Sequence, residues 1–126
     1  MVVKDILKND YVSVKETDSI EYVLDMMSSM KINSLPVENQ EGLLTGIVVK
    51  ADIYRFLIQP GHYGTCPISW VMSKEIISVQ PNEPVRDAAR KILDNHIIAM
   101  PVVHNGKACG MLSIEDLLDY FHRLDA

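Results

Sequence analysis

The sequence predicts an α+β fold of two tandem β-α-β-β-α repeats, and three observations carry that prediction. Segments of the first half recur in the second at an offset of 65 residues, which closes to 64 after one turn. Each half holds an apolar stripe at helical spacing: Ile20, Val23, Leu24, Met27 and then Val85, Ala88, Ala89, Ile92. Each half also holds a proline-bearing strand, Leu35-Pro36-Val37 and Met100-Pro101-Val102, followed by a strand with an internal glycine. A match through five elements with one turn-sized gap is the mark of an internal repeat. A unit of about 60 residues buries too little surface to be comfortable alone. The repeats are therefore expected to pack through their sheets, with pseudo-two-fold symmetry.

Val3-Lys4-Asp5-Ile6-Leu7 reads as a short amphipathic helical turn that enters the first repeat. Tyr11-Val12-Ser13-Val14 alternates and favours β structure, so it reads as a short strand. A helix is expected to open at Thr17-Asp18-Ser19-Ile20-Glu21, where Asp18 and Glu21 have capping-box spacing. Leu35-Pro36-Val37 is a strand with proline near its beginning, where a missing N–H is tolerated. Asn39-Gln40-Glu41-Gly42 turns the chain into a strand from Leu43 to Val49, and a helix follows from about Lys50 to Ile58. Residues 59–69 contain two prolines and two glycines with little periodicity, which predicts a linker between repeats at 1–60 and 61–126.

The second repeat then follows the first. Trp70-Val71-Met72 matches Asp5-Ile6-Leu7, and Ile77-Ser78-Val79 matches Val12-Ser13-Val14. Pro84 stands at the helix start, where its fixed φ is favourable. The hairpin turn Asn105-Gly106 is one residue shorter than its counterpart, so Gly110 and Asp116 match Gly46 and Asp52 at 64.

Composition narrows the function. The chain has 126 residues, 48% hydrophobic and 23% charged, with a formal net charge of −5. With no Lys/Arg cluster, neither nucleic acid nor an anionic membrane is the expected partner. No apolar run reaches the roughly 18 residues of a membrane span, and the N-terminus lacks the layout of a secretion signal. Cys66 and Cys109 have no ligand spacing, so a cytoplasmic setting is expected. His62, His96, His104 and His122 show no metal-ligand spacing and read as surface or linker residues. Nothing supplies a nucleophile, a base and a metal together, so the chain is expected to be no enzyme, with no catalytic residue, metal or catalytic cofactor.

The stretch with binding chemistry is Gly110-Met111-Leu112-Ser113-Ile114-Glu115-Asp116. A strand that turns into a helix there presents backbone N–H groups, the Ser113 hydroxyl and the Asp116 carboxylate at one edge. Those groups suit a phosphorylated ribose, because one carboxylate can accept from two adjacent hydroxyls. Ser-x-x-Asp is also an ordinary helix-capping pattern, and the two roles are compatible. The earlier copy, Gly46-Ile47-Val48-Val49-Lys50-Ala51-Asp52, has Val49 in place of the hydroxyl.

Taken together, the tandem period, strand prolines, glycines and Ser-x-x-Asp resemble a pair of cystathionine-β-synthase (CBS) domains, a Bateman module, over nearly the whole chain. The resemblance implies a non-catalytic regulatory module that binds an adenosine-containing ligand in the clefts between repeats. It assigns Asp116 to the ribose hydroxyls and Ser113 to the phosphate side. It assigns Val12, Ile32, Asn33, Ile98 and Met111 to the adenine slot, and a weaker second cleft to Asp52, Ile47, Ile77 and Ile97. Many ligand-binding members of that family carry His or Arg just before the strand proline, whereas this chain has Asn33-Ser34 and Ile98-Ala99 there. That departure favours AMP or S-adenosylmethionine over ATP, with ADP also among the candidates. The resemblance further implies a homodimer with its seam on the helices at 50–58 and 116–124, and an effector protein acting in trans. The alternative is a structural or interaction module of the same fold that has lost its ligand.

Overall fold

The computed structural model describes residues 1–8 and 11–124. The elements run in the predicted order. A 3-10 turn at Val3–Asp5 precedes β1 (Val14–Lys15), α1 (Ile20–Met30), β2 (Ser34–Glu38), β3 (Leu44–Val49) and α2 (Lys50–Leu57). A second 3-10 turn at Ile68–Trp70 precedes α3 (Val85–Asn95), β4 (Ala99–His104), β5 (Lys107–Ser113) and α4 (Ile114–Leu124).

The chain divides into two compact units that do not coincide with the two halves of the sequence. One is Val12–Ile76; the other joins Met1–Tyr11 to Ile77–Ala126. In the first unit the sheet order is β1-β2-β3, with β1 parallel to β2 and β3 antiparallel to it. Its core is Val14, Ile20, Val23, Met27, Leu35, Val37, Val48, Ile53 and Ile68. The second unit has a two-stranded antiparallel sheet of β4 and β5 and a core of Val3, Val79, Val85, Ala88, Ile92, Met100, Val102, Leu112 and Leu117.

Each unit is thus completed by the other repeat's entry segment. Val3, from the start of the first repeat, is fully buried in the second unit, and Ile68 is fully buried in the first. The segment 59–69 is pinned within the first unit: the amides of Ile20 and Glu21 donate to the carbonyls of Cys66 and Gly64, and that of Ile68 donates to Asp18. A strand glycine receives each entry segment. A Cβ at Gly110 would stand 3.1 Å from Leu7, and one at Gly46 would stand 2.6 Å from the Met72 sulfur and 3.0 Å from the Ser73 carbonyl. Gly46→Val is accordingly expected to cost about 1–3 kcal/mol through overpacking, measured by urea denaturation.

Several local expectations are corrected. The first strand is confined to Val14–Lys15, so Val12 precedes it. Ser19, not Asp18, caps α1: its hydroxyl accepts from the Tyr22 amide, while Asp18 accepts from the Lys15 amide. Ile77-Ser78-Val79 contributes only the bridge Val79↔Val102, because the Val79 amide and carbonyl both spend their bonds on β4 and no longer ladder develops. His62 stacks on Phe56 with ring centroids 3.8 Å apart, so it is a packed residue.

The prolines lie inside their strands and remain compatible with the ladders. Ile47, opposite Pro36, exchanges both backbone bonds with Ser73, so Pro36 occupies a non-hydrogen-bonded pair with β3. Its missing N–H faces the β1 side, where pairing reaches only Val37 and Glu38. Pro101 repeats the arrangement opposite Met111.

Helices α1 and α3 end alike. Lys31 and His96 occupy left-handed C-caps with φ of 57° and 53°. A side chain in that conformation costs roughly 1 kcal/mol, and glycine relieves it. Lys31→Gly and His96→Gly are expected to stabilise the protein by about 0.5–1 kcal/mol each, seen as raised melting temperatures.

Candidate functional site

The Gly110–Asp116 stretch leaves β5 and enters α4 through a reciprocal capping box. The Asp116 amide donates to Ser113 Oγ at 3.1 Å, and the Ser113 amide donates to Asp116 Oδ2 at 3.0 Å. Two otherwise orphaned amides of the helix start are satisfied in this way. The other carboxylate oxygen, Oδ1, lies 3.3 Å from Lys8 Nζ. Asp116 is nearly buried, with a side chain 9% exposed, whereas that of Lys8 is 68% exposed.

The same unit brings Ile98 to this turn, since the Ile114 amide donates to the Ile98 carbonyl at 2.9 Å. Ile98 itself is half exposed. Met111 lies on β5, partly buried and paired with Pro101. Ser113, Asp116, Met111 and Ile98 therefore share one unit. Ile77 and Ile97 belong to that unit too and pack against its core.

Val12, Ile32 and Asn33 belong to the first unit. Val12 and Ile32 pack against its core. The Asn33 carbonyl accepts from the Lys50 amide at 2.8 Å, so residue 33 stands at the start of α2, as Ile98 stands at the start of α4. In this copy Val49 provides no side-chain cap, and Asp52 pairs with Arg55 one turn along its own helix. Ile47 is partly buried on β3. The two strand-to-helix turns thus differ: one carboxylate is held by its own helix start, and the other is drawn along its helix by arginine.

Lys8 is the site residue that sequence reasoning missed. It follows Leu7 directly, and Leu7 packs on Gly110. Detecting it required knowing that the entry segment of the first repeat completes the unit of the second. Among the described residues no group of three or more His, Cys, Asp or Glu converges as a metal site would require. No helix of the described residues is long and apolar enough to cross a membrane.

Comparison with known proteins places this geometry in context. The family model described as CBS domain matches residues 3–59 and again 69–123. The CBS domain-containing protein YhcV of Bacillus subtilis is 29% identical over 115 residues, covering 91% of this chain and 81% of that protein. A homoserine O-acetyltransferase of Methanocorpusculum labreanum is 34% identical over 118 residues, and the chain spans 23% of its length. Among solved structures, the CBS domain pair of protein MJ0100 in complex with 5′-methylthioadenosine and S-adenosyl-L-methionine superposes with a TM-score of 0.88 at 28% identity, covering 98% of both chains. With two family matches that together span most of its length, the chain belongs to the CBS-domain family as a tandem pair.

Proposed function

We propose that this chain is a regulatory sensor that binds an adenosine-containing ligand through the Ser113–Asp116 turn and signals its occupancy to a partner protein. The observation that carries the reading is the capping box itself: it holds a nearly buried carboxylate, a hydroxyl and a helix N-terminus at one point. Asp116 would accept from the ribose hydroxyls, and Ser113 with the α4 amides would face the 5′ side. The adenosine compounds bound by the MJ0100 pair support this ligand class. Ile98 and Met111 would contribute apolar contacts for adenine. The assignment of Val12, Ile32 and Asn33 to the same slot rests on family resemblance alone. Asp52, with Ile47, Ile77 and Ile97, is the weaker counterpart because Val49 offers no hydroxyl and Arg55 already pairs the carboxylate.

Hydrogen bonds to a charged acceptor contribute roughly 1.5–3 kcal/mol. Asp116→Asn, which keeps an acceptor for the Ser113 amide, is therefore expected to weaken binding roughly ten- to a hundred-fold. A thermal-shift panel of AMP, ADP, ATP, S-adenosylmethionine, methylthioadenosine and a guanosine control would test this, followed by titration of the variant. A flat panel on folded protein would instead favour the ligand-free interaction module.

Self-association is the second part of the proposal. Ile114, Leu118, Phe121 and Leu124 of α4 are exposed, as are Tyr54 and Ile58 at α2. On α4 the spacing i, i+4, i+7 gathers an apolar stripe, which fits the face of a homodimer. Light scattering at micromolar concentration should give twice the chain mass of 14.2 kDa, and Leu118→Asp should return the monomer. Cytoplasmic location, the absence of catalysis and signalling in trans complete the proposed reading.

A further inference from the structure

We infer that Lys8 sets the ligand preference of the site: the Asp116 turn selects adenosine compounds with an anionic group on the 5′ substituent over those whose 5′ substituent carries none. The inference rests on the reading of Asp116 as the ribose acceptor.

Both oxygens of Asp116 are engaged. Oδ2 accepts from the Ser113 amide at 3.0 Å, a bond internal to the helix start. Oδ1 faces Lys8 Nζ at 3.3 Å. A ribose diol that donates to this carboxylate has to share Oδ1 with the ammonium or displace it. Displacement is easy, since Lys8 is largely exposed on a flexible stem and such ion pairs are weak. Its consequence depends on the ligand. On the ribose reading the ammonium is released beside the ribose, on a flexible four-carbon stem free to turn toward the 5′ substituent. A phosphate or carboxylate there gives it a new charge-assisted partner. A substituent with neither leaves it with water alone, after the ligand has broken the original pair.

The two sources of anionic chemistry can be told apart with matched ligands. AMP and adenosine differ by a phosphate; S-adenosylhomocysteine and methylthioadenosine are both neutral thioethers and differ by a zwitterionic amino-acid group that includes a carboxylate. Calorimetric titration of the full chain with all four, in wild type, Lys8→Met and Lys8→Arg, tests the inference. The wild type is expected to bind the phosphate- or carboxylate-bearing member of at least one pair about tenfold more tightly. Lys8→Met should bring that ratio near one, by weakening the phosphate- or carboxylate-bearing member while the other member holds or tightens. Lys8→Arg should keep the preference. The pair that responds identifies phosphate or carboxylate as the partner. A ratio unchanged in Lys8→Met, or equal weakening of both members, overturns the role of Lys8 and leaves the ribose reading standing. Failure of all four to bind the folded wild type overturns the ribose reading and the role of Lys8 with it.

Discussion

Removal of residues 1–7 is expected to unfold the second unit, although that unit is otherwise drawn from residues 77 onward. The truncation takes away Val3, which is fully buried, together with Ile6 and Leu7, which pack on the same core. Burial of an apolar side chain stabilises by about 1.5–3 kcal/mol, so three of them approach the whole stability of a small domain, about 5–15 kcal/mol. The loss extends to the backbone. The Val3 and Lys4 amides donate to the Glu83 and Pro81 carbonyls, and the Val85 amide, at the first residue of α3, donates to the Met1 carbonyl. Circular dichroism of the truncated chain should show loss of cooperative unfolding or a midpoint far below that of the intact protein. A near-native midpoint would mean that the second unit closes its core without the entry segment.

Ile68→Ala is the reciprocal experiment and the second large effect. Ile68 lies in the Pro/Gly-rich segment that reads as a linker, yet it is fully buried in the first unit's core. Truncation of a buried isoleucine leaves a cavity and costs about 2–5 kcal/mol, whereas a linker residue would cost almost nothing. Chemical denaturation distinguishes these outcomes. Thr65→Ala, at an exposed position within the same segment, serves as the control with no expected change.

The contrast between Ile68 and its neighbours explains what was legible in the sequence. Local periodicity identified α1 and α3, and the repeat offset aligned all of the elements, because these signals depend on neighbours along the chain. Capping was harder to read: Asp18, Ser19 and Thr17 are all competent caps, and only backbone geometry selects Ser19. The exchange of entry segments left no local trace. Val3 and Ile68 occupy equivalent repeat positions, so the sequence is equally consistent with each packing on its own repeat or on the other. Similarly, Ser113 and Asp116 were legible as a motif, but Lys8 was not, because its proximity to Asp116 is a property of connectivity between distant segments. Ile77-Ser78-Val79 shows the opposite failure, in which a valid alignment overstated a strand that is reduced to one bridge.

The Asp116 carboxylate fastens the first turn of α4 from its own third position. Any ligand that draws on this carboxylate also draws on the closure of the helix, so occupancy should be recorded in the exchange of two amide protons. The Ser113 amide is protected by Oδ2, and the Asp116 amide by the Ser113 hydroxyl. If the ligand pulls the carboxylate away, the proton at 113 should exchange faster on binding. If the ligand uses only Oδ1, protection at both positions should increase. Measured residue by residue, these two protons make the start of α4 an internal reporter of which carboxylate oxygen the ligand takes.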